Sequence, residues 1–228
     1  LEDIKAADGE SEDYYKKDDL IATITTDETG VAKLTDIPLG KYYVKEKETA
    51  NGYVLDSTAR EIDLTYRDQD TAEVTYSSDW QNNRQKAEVK VLKKEKDSDR
   101  VLEGAVFALC NKEDIVNANG DVILKADTVI EEQATDKEGK LTFTADLPIG
   151  YTYYVKETSP APGFATTDQV QEFTFEYDGA DKETLSYEFT FEDEPTVVEI
   201  TKTSLTDGKE LEGAKLEVTD EDGKVVDS

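Results

Sequence analysis

A lysine and two acidic residues stand where the strand pattern predicts buried side chains. Because successive side chains of a β-strand point to opposite faces, residues two apart share a face. Three apolar rows therefore end in an ionisable residue that should also point inward: Lys93 after Val91, Glu157 after Val155, and Asp193 after Phe191. Isolated buried charges are costly, so these three side chains are predicted to meet or to be neutralised.

Lys93, Glu157 and Asp193 together have the groups needed to form an amide. Burial favours the neutral forms of amines and carboxyls, and a neutral amine is a nucleophile. With Glu157 protonated, polarising the carbonyl of Asp193 and relaying protons, the Lys93 amine would attack that carbonyl and expel water. This is a single self-modification, not enzyme catalysis on a substrate. The alternatives are a buried salt-bridge triad or partly exposed charges at strand ends.

The strand that ends in Glu157 occurs twice. Residues 42–46 and 153–157 both read Tyr-Tyr-Val-Lys-Glu, at an offset of 111 residues, and residues 198–202 correspond to 89–93. A repeat of this kind indicates tandem structural units. The equivalent site positions are Glu46 for Glu157, Asn82 for Asp193, and Lys202 for Lys93.

The repeat divides the chain into three units. Residues 86–195 form a nearly complete domain, residues 1–85 form a domain that lacks its first strands, and residues 196–228 form the first strands of a third. We expect the missing part of the first unit to come from residues outside this sequence or from another chain. Short junctions between the units predict a semi-rigid rod.

Composition and periodicity predict an all-β fold. Short alternating stretches recur between Gly, Asp and Asn turns, and no long stretch has a helical period. We therefore expect tandem antiparallel β-sandwiches with little or no helix.

Charge and residue usage exclude several classes of function. The 228 residues include 54 acidic and 26 basic side chains, a net charge of −28, which argues against a nucleic-acid partner. The absence of histidine excludes a Ser-His-Asp triad, and a single cysteine makes a zinc site untenable. No apolar run is long enough to insert in a membrane. We expect no metal and no other cofactor.

The chain resembles the Cna-B-type, prealbumin-like (SpaA-type) domains of Gram-positive surface proteins, pilins and adhesins. The resemblance covers essentially the whole chain in repeated form. It is carried by Val91-Leu92-Lys93, the stretch 102–109, Tyr153–Glu157 with Pro160–Phe164, and Phe191–Pro195. In that family a lysine of the first strand bonds to an Asn or Asp of the last, assisted by a glutamate.

The resemblance implies roles for all six site positions. Lys93 and Asp193 would form the isopeptide bond and Glu157 would relay its protons, with Asp193 in place of the usual asparagine. In the first unit Asn82 would be the acceptor and Glu46 the proton relay, and in the third Lys202 would be the donor, each lacking partners in this sequence. A hydrogen-bonded pair (Glu46, Asn82) and a solvated strand residue (Lys202) are the alternatives.

The function that the resemblance implies is structural. The expected protein is a stalk or spacer segment on the cell wall of a Gram-positive bacterium, outside the cell, with neighbouring repeats of the same polypeptide as its partners. A ligand-binding adhesin module, gripping host glycan or matrix protein through other domains, is one alternative. A sortase-assembled pilin subunit is another.

Overall fold

The computed structural model describes residues 3–5, 12–68, 70, 73–219 and 221–225. Among these residues there are eleven strands and no helix, which confirms the all-β prediction. The ends of the first and third predicted units, residues 1–2 and 226–228, lie outside the described residues. The strands are β1 (Lys41–Val44), β2 (Arg60–Asp63), β3 (Lys86–Glu95), β4 (Val106–Asn111), β5 (Ile115–Val116), β6 (Val122–Leu124), β7 (Val129–Ala134), β8 (Lys140–Phe143), β9 (Tyr151–Ser159), β10 (Val170–Phe175) and β11 (Thr184–Asp193).

The middle unit, residues 86–195, is a sandwich of two sheets. One sheet has the strand order β10-β9-β4-β7 and the other has the order β11-β3-β8. Their inner faces supply the core, whose largest fully buried members include Phe107, Phe143, Tyr153, Phe175 and Phe191. Along β3, β9 and β11 more buried side chains alternate with less buried ones, as the two-residue period of a strand requires.

The first and last strands of the middle unit pair in parallel. Residue 86 of β3 lies opposite residue 184 of β11, and the ladder continues in step to residues 95 and 193. This ladder differs from the antiparallel pairing that the sequence predicted; the other ladders among the described residues are antiparallel. Because both strands run the same way, their C-terminal ends lie together at one edge of the sheet.

The first and third units are less completely paired than the middle one. In the first unit β1 pairs with β2, as β9 pairs with β10, and a small cluster forms around Ile4, Tyr42 and Leu64. The described part of the third unit contains isolated bridges, between Thr203 and Glu210 and between Thr219 and Val225, but no strand. A complete two-sheet sandwich is therefore present in the middle unit alone among the described residues.

The junction between the first and middle units is packed. Gln85 is buried; its Nε2 donates to the carbonyls of Gly179 at 3.1 Å and Lys182 at 2.7 Å, and its Oε1 accepts from the backbone N–H of Asp178 at 3.1 Å. Beside it Arg84 pairs with Asp146. A buried glutamine with both ends of its amide satisfied fixes the chain between the two units.

Gly139 is predicted to be required where β8 meets β3. It has a φ of +69°, and a Cβ added there would lie 2.7 Å from the carbonyl oxygen of Lys93 and 2.8 Å from Cβ of Val101. Gly139→Ala should lower the free energy of unfolding by about 2–4 kcal/mol, because left-handed strain adds to the clash. Calorimetry or urea denaturation followed by circular dichroism measures the change.

The matched control for this prediction is Gly120→Ala. Gly120 has a similar φ of +85°, but nothing lies within 4 Å of an added Cβ. Gly120→Ala should lower the free energy of unfolding by about 1–2 kcal/mol, which is the left-handed strain alone. Equal losses in the two variants would contradict the close approach at Gly139.

Candidate functional site

Three strand ends bring Lys93, Glu157 and Asp193 together inside the middle unit. Lys93 and Asp193 lie near the C-terminal ends of the parallel strands β3 and β11, and Glu157 lies near the end of β9 in the facing sheet. The three side chains are fully buried, with 0% exposure. The structure therefore has these three side chains pointing inward, as strand alternation predicted.

The lysine lies between the two carboxyl groups. Lys93 Nζ donates to Oδ1 of Asp193 in a short contact and lies 3.0 Å from Oε1 of Glu157. The approach to Glu157 has the distance of an ion pair but not the direction of a hydrogen bond, since Glu157 Oε1 has no hydrogen-bond partner. The amine is thus directed at Asp193, with Glu157 beside it.

The two carboxyl groups are incompletely satisfied. Glu157 Oε2 accepts from the backbone N–H of Thr167 at 3.0 Å, whereas Glu157 Oε1 and Asp193 Oδ2 are buried without a hydrogen-bond donor. A buried acceptor without a donor is costly. A proton held on one carboxyl would supply a donor at the site.

The pKa of Glu157 is raised above its ordinary value. The main cause is burial away from water, and the neighbouring charge of Asp193 adds to it; the Thr167 N–H and Lys93 act in the opposite direction. Aromatic rings also keep the site apolar, since the ring of Phe107 lies 5.5 Å from Lys93 Nζ and packs against Phe191. Burial therefore favours the neutral form of Glu157 more than water does, and this carboxyl lies next to the Lys93 amine and the Asp193 carboxyl.

The arrangement can form an amide. Amine and carboxyl are held in contact, water is excluded, and a carboxylic acid that can give and take a proton is adjacent. The described residues contain no cluster of His, Cys, Asp and Glu able to hold a metal ion.

In the first unit the structure brings Glu46 and Asn82 together. Asn82 Nδ2 donates to Oε2 of Glu46 at 2.6 Å and to the carbonyl of Val54 at 2.9 Å. The backbone N–H of Asp56 also donates to Glu46 Oε2, at 2.8 Å, just as that of Thr167 does to Glu157. No described lysine forms an ion pair with Glu46. The first unit thus contains two of the three groups of the middle site.

Lys202 is not brought to either site. Its side chain is exposed, but its carbonyl accepts from the backbone N–H of Leu211 at 2.9 Å. The carbonyl of Lys93 accepts from Leu102 in the same way at 3.0 Å. Lys202 therefore occupies the local hairpin position of Lys93 without the surrounding sandwich.

Sequence reasoning missed the groups that hold the glutamates. The donors from Asp56 and Thr167 are backbone N–H groups, which any residue type provides, so composition does not reveal them. Their sequence signal is the constant offset of 111 residues that also relates Glu46 to Glu157.

The comparisons with known proteins agree with this fold. A family profile described as "SpaA: Prealbumin-like fold domain" matches residues 5–80 and 87–190. The chain therefore belongs to the SpaA prealbumin-like fold family. No curated protein sequence matches it.

Solved structures with similar folds include the Bacillus anthracis TIE protein and several pilus proteins. The Bacillus anthracis TIE protein is 27% identical with a TM-score of 0.55; 89% of this chain and 34% of that chain are covered. Domains D2 and D3 of the major pilin SpaD from Corynebacterium diphtheriae are 23% identical with a TM-score of 0.33; 47% of this chain and 46% of that chain are covered. The group B streptococcus pilus 2b backbone protein is 19% identical with a TM-score of 0.35; 71% of this chain and 52% of that chain are covered. The chain spans about a third of the TIE protein and about half of each pilin structure. Its own matched segments have the prealbumin-like fold.

The described residues include no helix with the length and apolar character that a membrane span needs.

Removing the lysine should make stability depend on pH through Glu157. In Lys93→Ala the pKa of Glu157 remains raised by burial and loses the lowering effect of the lysine. An acid whose pKa is raised by folding contributes stability at pH values below its unfolded pKa, which is 4.5 here. That contribution is lost as the pH rises through the pKa of the folded state. Lys93→Ala should therefore be less stable at pH 8 than at pH 5, as urea denaturation at each pH measures.

The control is the double variant Lys93→Ala, Glu157→Gln, which lacks this titration. The difference in free energy of unfolding between the double and the single variant should grow with pH. A difference independent of pH would mean that Glu157 is not buried as described.

Proposed function

We propose that the chain is a tension-bearing stalk segment of a surface protein, anchored to the cell wall of a Gram-positive bacterium outside the cell, whose middle unit forms an internal isopeptide bond between Lys93 and Asp193. The observation that carries this proposal is the contact of a fully buried Lys93 Nζ with Asp193, beside a fully buried Glu157. Membership of the SpaA prealbumin-like fold family, together with the resemblance to domains of Gram-positive surface proteins, supports the extracellular setting.

The bond forms by condensation of the amine with the carboxyl. The Lys93 ammonium first gives a proton to the Asp193 carboxylate, which leaves a neutral amine next to a neutral carboxyl. Lys93 Nζ then attacks Cγ of Asp193 while the acid proton of Glu157 polarises the aspartate carbonyl. Glu157 gives its proton to the departing hydroxyl and takes one from the attacking nitrogen, so it ends as it began. The Nζ–Cγ bond forms, one Cγ–O bond breaks, and water leaves. Overall, ammonium plus carboxylate becomes amide plus water, so no co-reactant is needed.

The position of the bond suits a segment that carries tension. Lys93 is on the first strand of the unit and Asp193 on the last, 100 residues later. Force that enters through β3 and leaves after β11 would pass through the covalent link, so the residues between them would be shielded. The packed junction at Gln85 supports transmission between neighbouring repeats.

On this proposal the protein is not an enzyme that turns over a substrate. The middle unit reacts once with itself and needs no cofactor. Its partners are the neighbouring repeats of the same polypeptide, and the strongly acidic surface, with a net charge of −28, disfavours nucleic acid.

The bond predicts a mass deficit. Intact-mass spectrometry of the wild-type chain should give a value about 18 Da below the sequence mass, since amide formation by the amine removes one water. Lys93→Ala, Glu157→Ala and Asp193→Ala should each have full mass. Lys90→Ala, on the outer face of the same strand and 40% exposed, should keep the deficit. A wild-type chain at full mass would leave only the salt-bridge triad.

The bond also predicts a stability difference. Glu157→Gln keeps the shape of the side chain but stops the proton relay, so the bond is not made. Closing a loop of 100 residues removes about 5 kcal/mol of unfolded-state entropy by the reasoning applied to disulfides, and the variant should lose about this much. Reducing agents should leave the wild-type stability unchanged, because an amide cannot be reduced by thiols.

A further inference from the structure

Two asparagines of the chain are each followed by a glycine, in the pairs Asn51-Gly52 and Asn119-Gly120. The backbone nitrogen of the residue after an asparagine can attack the asparagine Cγ and close a five-membered ring. Glycine has no Cβ to obstruct this approach, so ring closure meets the least steric hindrance in an Asn-Gly pair. Both pairs are therefore candidate sites of spontaneous deamidation.

The turn at Asn119 keeps the attacking nitrogen occupied. The N–H of Gly120 donates to the carbonyl of Asn117 at 3.0 Å. The side chain of Asn117 holds the same turn, because its Oδ1 accepts from the N–H groups of Asn119 and Asp121, both at 2.9 Å. These hydrogen bonds have to break before the nitrogen of Gly120 can reach Cγ of Asn119, so the folded turn protects this asparagine.

The turn at Asn51 leaves the attacking nitrogen free. Gly52 has a φ of +89° in a turn closed by the N–H of Tyr53, which donates to the carbonyl of Ala50 at 3.2 Å. The N–H of Gly52 itself donates to no acceptor among the described residues. Asn51 is exposed, so the water that the reaction consumes has access to it. In the folded chain Asn51 is thus the more reactive of the two asparagines.

The turn at Asn51 is also part of the joint between the first and middle units. The carbonyl of Gly52 accepts from the backbone N–H of the buried Gln85 at 2.9 Å. A Cβ added at Gly52 would lie 3.4 Å from Cδ1 of Ile149, so the turn approaches the middle unit closely. A change in the backbone at Asn51 therefore acts on the joint directly.

The residues after Gly52 continue this contact. The carbonyl of Tyr53 accepts from the hydroxyl of Tyr177 at 3.3 Å, and the N–H of Leu55 donates to the carbonyl of Ala180 at 2.8 Å. Both partners lie in the loop between β10 and β11 of the middle unit. The joint is thus held largely through backbone groups, whose positions depend on the length and path of the main chain.

We propose that Asn51 is a site of spontaneous deamidation that loosens the joint between the first and middle units. The backbone nitrogen of Gly52 attacks Cγ of Asn51, the N–Cγ bond forms and the Cγ–Nδ2 bond breaks. The proton of the attacking N–H leaves with Nδ2 as ammonia. Water then opens the ring: cleavage of the N–Cγ bond gives aspartate, and cleavage of the original peptide bond gives isoaspartate. Overall, carboxamide plus water becomes carboxylate plus ammonium.

Either product alters the joint. Isoaspartate carries the main chain through Cβ and Cγ, which lengthens it by one atom and displaces Gly52 from Gln85. Aspartate adds a negative charge to a cleft that Asn51 and Arg84 line together. Arg84 is paired with Asp146 of the middle unit, and a new carboxylate in the cleft competes for the same guanidinium.

Peptide mapping of the aged full chain tests the site. The tryptic peptides 48–60 and 113–125 each contain one Asn-Gly pair. During incubation at mildly alkaline pH, peptide 48–60 should gain about 1 Da, or about 3 Da in heavy-oxygen water, because a carboxylate replaces the carboxamide. Its rate should exceed that of peptide 113–125 by about tenfold or more, as the hydrogen bonds at Gly120 imply.

Two controls identify the cause. Asn51→Gln keeps an exposed amide, but its ring would have six members and close much more slowly, so peptide 48–60 should keep its mass. In denaturant the turn at Asn119 opens, and both peptides of the wild-type chain should then gain mass at similar rates. Equal rates in the folded chain, or no gain at Asn51, would overturn the deamidation site.

Hydrogen exchange measures the effect on the joint. After ageing, the wild-type chain should exchange the N–H groups of Leu55 and Gln85 about tenfold faster than Asn51→Gln aged in the same way, whereas β4 should exchange equally in both. Deamidation without faster exchange at these two residues would overturn the effect on the joint. Peptides 48–60 and 113–125 contain neither Lys93 nor Asp193, so this result is independent of whether the proposed isopeptide bond forms.

Discussion

The parallel ladder between β3 and β11 is the constraint on which the rest of the structure depends. It joins the first and last strands of a unit in one direction, so the chain must pass through the whole sandwich between them. It also places the ends of the two strands side by side. The facing sheet then covers this edge with the end of β9, and the three ionisable side chains share one buried volume.

The same burial explains both the cost of the site and its chemistry. A charged amine and two carboxyls inside an apolar core weigh against folding, since the attraction between them has to offset the loss of their hydration. The proposed condensation of Lys93 with Asp193 would remove one positive and one negative charge together. It would leave Glu157 as a single carboxyl whose pKa is raised by burial. The proposed reaction would therefore relieve part of the desolvation cost that folding imposes.

The first strands of the middle unit in sequence are central in both of its sheets, because β3 lies between β11 and β8 and β4 lies between β9 and β7. A central strand pairs on both sides, so β3 and β4 each join two neighbouring strands, whereas an edge strand joins one. In the first unit the described strands β1 and β2 pair with each other. Backbone groups hold the Glu46–Asn82 pair, because the N–H of Asp56 donates to Glu46 and the carbonyl of Val54 accepts from Asn82.

The sequence by itself determined the all-β class, the repeat, and the face on which each site residue lies. Alternation along a strand is local, so its two-residue period was enough to predict that Lys93, Glu157 and Asp193 point inward. The repeat then predicted the Glu46–Asn82 pair, since these residues are equivalent to Glu157 and Asp193. The relative direction of two paired strands and the partner of a buried side chain are not local properties. The tertiary structure alone decided that β3 and β11 run in parallel, that Thr167 holds Glu157, and that Gln85 is buried at the junction. Those features depend on contacts between residues far apart in the chain, and a strand pattern records the face of a side chain but not the segment that it meets.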